Sequence, residues 1–149
     1  MREIKFRGIV KEKGMSECWI EGSLVHITKT YKGEEDEQDC DIYQIINNDG
    51  VGFFIDKETI GQYTELKDKN EKEIYEGDIL QIPEWLQQDN QERCICIYEE
   101  PHQTSDIIGF GLYIKDGYSG EYKILVPSDE WDEFEVIGNI YDNKELLKE

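Results

Sequence analysis

The residues able to carry chemistry are four cysteines, two histidines and 35 carboxylates. Structural zinc asks for two close cysteine or histidine pairs. Cys94-x-Cys96 has one intervening residue, and Cys18 and Cys40 lie far apart. On a strand, positions 94 and 96 share a face, so Cys94 and Cys96 read as small buried thiols of a core, with a metal site as the alternative. A cysteine nucleophile would need a histidine beside it. His26 falls in a strand pattern and His102 in a loop after Pro101, and no spacing brings either to a cysteine. Carboxylates are so numerous that pairs arise by accident, and a glycosidase reading needs a separation that sequence does not give. Phosphate-binding, dinucleotide-binding, zinc-protease and serine-hydrolase signatures are absent. No enzyme, cofactor or metal is expected.

Residues 33–41 carry six carboxylates. Mutual repulsion and low hydrophobicity predict a mobile, solvated loop there. A calcium site is the alternative, but the EF-hand order of ligands is missing. Trp85 and Trp131 fall in the least regular stretches and are candidates for a protein-contact patch. The competing reading has each tryptophan anchoring a loop onto the core.

The elements that must position these groups are strands. The 149 residues contain no alanine but twenty isoleucines and nine tyrosines, a composition that favours β structure. About nine short strands are expected. The first two, over 3–10 and 18–27, read as an antiparallel hairpin. Asn47-Asn48-Asp49-Gly50 turns between the apolar runs 42–46 and 51–55, a second hairpin signal. Ile107 to Ile114 reads as a core strand, and only short helical turns are expected, the last over 144–147.

With 16 basic residues against 35 acidic ones the net charge is −19. Direct binding of nucleic acid or of an anionic membrane is not expected from such a surface. The same charge makes an acidic DNA mimic an alternative reading. The N-terminus lacks a signal-like apolar stretch, and the longest apolar run, Cys94 to Tyr98, is far too short to span a membrane. A soluble, cytoplasmic protein is expected.

Three segments together resemble one family. They are Ile4-Lys5-Phe6-Arg7, then Tyr63-Thr64-Glu65-Leu66-Lys67-Asp68-Lys69-Asn70-Glu71-Lys72-Glu73-Ile74-Tyr75-Glu76-Gly77-Asp78-Ile79, and finally Val136-Ile137-Gly138-Asn139-Ile140-Tyr141-Asp142-Asn143 with Leu146-Leu147. The chain resembles the YopX family of temperate phages and prophages of Gram-positive bacteria. The resemblance implies a mainly β fold: an N-terminal β lobe over 1–62 and a C-terminal SH3-like small β-barrel over 63–149, within one domain. It implies no activity and no catalytic residues.

The matched residues Asp68, Asn70, Tyr75, Gly77, Asp78, Gly138 and Asn139 read as structural turn residues. The expected role is a phage accessory protein that binds an unidentified phage or host protein without catalysis. A structural homo-oligomer is a further alternative.

Overall fold

A computed structural model describes residues 3–33, 36–87, 91–99, 109–115, 122–126 and 131–147. Eleven strands form among the described residues: β1 (Phe6–Ile9), β2 (Trp19–Lys32), β3 (Glu37–Ile46), β4 (Gly52–Phe54), β5 (Gly61–Lys67), β6 (Glu73–Tyr75), β7 (Asp78–Gln81), β8 (Arg93–Glu99), β9 (Gly109–Lys115), β10 (Tyr122–Val126) and β11 (Glu135–Asn139). Helical structure among the described residues is limited to four single 3₁₀ turns, the last at Lys144–Leu147. None is long and apolar enough to cross a membrane. The chain is mainly β and divides into two compact units, Met1–Gln62 and Tyr63–Glu149.

In the first unit the strand order is β4-β3-β2-β1, and β1 also pairs with Gly61 and Gln62 at the start of β5. All of these pairings are antiparallel. The alternation of β1, β2 and β3 sends Phe6, Ile20, Leu24 and Ile45 to one face, where they pack with Val10, Phe53, Ile55 and Ile60. The β3–β4 turn is fastened by Asn47, whose Oδ1 accepts the N–H groups of Asp49 at 3.0 Å and Val51 at 2.9 Å. Gly22 sits where a Cβ would overlap the Ile46 carbonyl, so the close approach of β2 to the end of β3 requires glycine.

The second unit holds the β5–β6 ribbon and a five-stranded antiparallel sheet of order β10-β9-β8-β7-β11. Ile74, Leu80, Cys94, Cys96, Leu112, Trp131 and Phe134 form its core, with Leu66 and Leu86 packed against it. The sheet is open, which corrects the expectation of a closed SH3-like barrel. Closure would need the free edges of β10 and β11 to bond to each other. Instead β10 pairs with β9 at one end of the sheet and β11 with β7 at the other.

A second correction concerns 33–41. Glu37 to Asp41 are not a solvated loop but the first half of β3, in unbroken register with β2 from Lys32↔Glu37 to Ser23↔Ile46. Alternation is the reason: Glu37, Asp39 and Asp41 share one face, and the facing residues of β2 there are Lys32, Thr30 and Thr28.

Candidate interaction surface

Beyond the core of the first unit, β2 and β3 continue as a two-stranded arm. Every residue from His26 to Lys32 and from Glu37 to Asp41 is exposed. Thr28 to Lys32 alone extend about 17 Å at strand rise. Such an element buries almost no apolar area, so cross-strand pairs and backbone bonds hold it.

The two faces of the arm differ. On the first, the pairing is internal. The ring of His26 stacks on Tyr43 with centroids 4.5 Å apart and planes 2° from parallel. With its proton on Nε2, His26 donates to Asp41 Oδ1 at 2.9 Å, and Thr28 Oγ1 donates to the same oxygen at 2.8 Å. These hydrogen bonds, His26 first, hold the Asp41 carboxyl below its ordinary range. Thr30 Oγ1 donates to Asp39 at 2.7 Å, and Lys32 Nζ lies 3.7 Å from Glu37. The second face carries Ile27, Lys29 and Tyr31 opposite Ile42, Cys40 and Gln38. Tyr31 is 56% exposed, and Ile27 is exposed as well.

Where the arm leaves the body, β4 leaves β3. Ile55 donates its N–H to the Tyr43 carbonyl at 3.0 Å, and Asp56 then donates to the Ile9 carbonyl at 2.9 Å. The Asp56 carboxylate caps the next turn by accepting from the Glu58 N–H at 3.2 Å. The chain is thereby led away from β3, and a groove of about 490 Å³ opens between Tyr43, Phe54, Ile55 and Lys57.

The central matched segment is a set of clasps in the second unit. Asp68 is 3% exposed. Its Oδ1 accepts from the Asn70 and Lys72 N–H groups at 2.8 and 2.9 Å, and its Oδ2 from the Val136 N–H at 2.9 Å. Asp78, also buried, accepts the Tyr75 N–H at 2.8 Å. Gly77 turns between them at φ +86°, donating to the Cys96 carbonyl and accepting from the Ile140 N–H. The register of β11 on β7 shifts between Val136 and Gly138, and Asn139 Oδ1 then accepts the N–H groups of Tyr141 and Asp142. A Cβ at Gly138 would meet the Asn143 side chain at 2.5 Å, which fixes a small residue at that corner.

The two tryptophans have different fates. Trp131 is 1% exposed inside the core, which corrects its reading as a contact residue: its neighbours are Phe134 and the β7–β9 side chains. Trp85 is 65% exposed, and its Nε1 donates to Glu133 at 2.7 Å. Cys94 and Cys96 are buried, and burial pushes the Cys94 thiol far up. Cys18 and Cys40 are exposed. Among the described residues no group of three or more His, Cys, Asp or Glu is placed to hold a metal ion. His102 lies outside the described residues. The arm itself escaped the sequence reading, although the period-two order of Ile27-Thr28-Lys29-Thr30-Tyr31-Lys32 was a signal for it.

Comparison with curated proteins returns no match. The model of the family described as YopX protein matches residues 5–148, and the chain belongs to that family.

Proposed function

We propose that the chain is a non-enzymatic interaction module that engages a partner protein through the β2–β3 arm. The observation that supports this reading is the arm itself. It is a regular two-stranded ribbon of exposed residues that contributes little to its own unit's core. A strand pair that buries so little at home is an element available to bury surface elsewhere. A protein of a temperate phage or of its bacterial host is the expected partner. Trp85, held by Glu133, is a separate exposed aromatic contact of the second unit.

The test uses the full chain with a photo-crosslinking residue at Phe54, exposed on the groove at the base of the arm, produced in bacterial cells, beside a variant that keeps this residue but whose arm is shortened to a tight turn between Ile27 and Ile42. Crosslinks to one defined protein, lost in the shortened variant, support the module. Crosslinks only to abundant proteins, unchanged by shortening, reject it.

A second reading, the acidic DNA mimic, draws on one observation. Residues 63–149 carry 22 acidic against 8 basic residues. It expects salt-sensitive binding to a basic protein that duplex DNA displaces. Binding indifferent to DNA removes it.

A further inference from the structure

The free edge of β3 along the arm has the makings of a strand-addition site, and its chemistry specifies the strand. Tyr43 uses its carbonyl to bond Ile55 of β4. In an antiparallel strand a residue's N–H and C=O point to the same side, and alternate residues share that side. Asp41, Asp39 and Glu37 therefore aim their main-chain groups along the same edge as Tyr43. Beyond Ile55 no strand among the described residues occupies that edge, because β4 pairs only with Gln44, Ile45 and Ile46. The edge begins at the groove between Tyr43, Phe54 and Ile55.

Side chains alternate in step with those main-chain groups. An incoming strand places the residues opposite Glu37, Asp39 and Asp41 on the carboxylate face. Its intervening residues lie on the other face beside Gln38, Cys40 and Ile42, with exposed Ile27 and Tyr31 one strand further across on the same face. The carboxylate face asks for cations, most at Asp39, since Lys57 lines the groove near Asp41 and Lys32 lies 3.7 Å from Glu37. The other face asks for apolar side chains. A second copy docking β3 against β3 would set carboxylate against carboxylate, which disfavours self-pairing.

We infer that the free edge of β3 from Glu37 to Ile42 binds an extended peptide segment of alternating basic and apolar residues, which continues the line of β4. The inference rests on the arm being the contact element, and it adds the edge, the backbone mode and the partner's chemistry.

The test measures fluorescence anisotropy of labelled peptides with the full chain at physiological salt. The probe is a short peptide of alternating lysine and valine. Comparisons are the same residues in two blocks, an alternating glutamate–valine peptide, and the probe N-methylated at every second residue. The alternating probe is expected to bind about tenfold tighter than the block peptide, a difference of about 1.4 kcal/mol. N-methylation is expected to abolish that advantage.

The variant Asp39→Pro removes an edge N–H without touching the β2 ladder, and should weaken the probe about tenfold. The double variant Glu37→Lys with Asp39→Lys should invert the preference toward the glutamate–valine peptide. Equal binding of alternating and block peptides, insensitive to N-methylation, overturns the inference and leaves only attraction of polycations to an acidic chain. Absence of binding also overturns it. If the shortened arm still loses its crosslinked partner in cells while the probe fails, the arm reading stands and the edge assignment falls.

Discussion

Replacing Asp68 by alanine should destabilise the second unit by about 2–6 kcal/mol. The figure is built from three bonds. The Val136 N–H is buried and would lose its charged acceptor with no water to replace it, at about 1–3 kcal/mol. The Asn70 and Lys72 N–H groups are only partly buried, so water recovers some of each bond, and about 0.5–1.5 kcal/mol apiece remains.

Stabilities of single domains are about 5–15 kcal/mol, so this loss is a large share. Urea unfolding followed by Trp131 emission, with Trp19 and Trp85 changed to phenylalanine, should show the midpoint falling by about 1–3 M at an ordinary slope. Lys69→Ala is the comparison. It removes the exposed ion pair with Glu135 and should cost less than about 1 kcal/mol. A midpoint for Asp68→Ala within that of Lys69→Ala would show that the carboxylate does not hold the turn to β11, and would refute the reasoning.

Four other outcomes are expected. Gly77→Ala forces a Cβ into the left-handed region and to 3.2 Å from the Tyr141 ring, and should lower the melting temperature by an amount equivalent to about 1–2 kcal/mol; an unchanged melting curve would contradict this. Carbon NMR titration should place Asp41 below the ordinary 3.8, with His26→Ala moving it back toward that value. Because the folded value is the lower one, the carboxylate's contribution to the arm is present above the unfolded pKa and lost as pH falls through the folded pKa. An Asp41 titration indifferent to His26→Ala would separate the pair. Iodoacetamide should label Cys18 and Cys40 in the native protein but Cys94 and Cys96 only after unfolding, as mass spectrometry of digests can show. Trp131→Ala should cost about 3–5 kcal/mol while Trp85→Ala costs far less, each made singly in the otherwise unaltered chain and measured by urea unfolding followed by far-UV circular dichroism.

The sequence made the β character legible through isoleucine, tyrosine and the missing alanine. It also placed the Asn47–Gly50 hairpin, because that turn chemistry is local. It misjudged two things for physical reasons. Charge density at 33–41 suggested repulsion, whereas alternation gave Glu37 a lysine, Asp39 a threonine, and Asp41 a threonine and a histidine across the strand. Sheet closure is decided by which edges meet, and nothing local to β10 or β11 encodes that. The tryptophans were ambiguous because irregular sequence surrounds both, yet only Trp131 meets an apolar core. The open edge of β3 was out of reach, since it depends on Asp56 turning the chain toward Ile9.

The Asp68–Val136 bond joins residues 68 positions apart. During synthesis at about 5–20 residues per second, Val136 is made roughly 3–14 s after Asp68. Over that interval the Asp68 carboxylate lacks the third of its three N–H partners, and β7 still lacks β11. The first unit has all its strands by Gln62 and can fold while the second is still being translated. A ribosome stalled anywhere between 69 and 135 therefore releases a chain with a finished arm and an unfastened second unit, the form most exposed to proteolysis and aggregation.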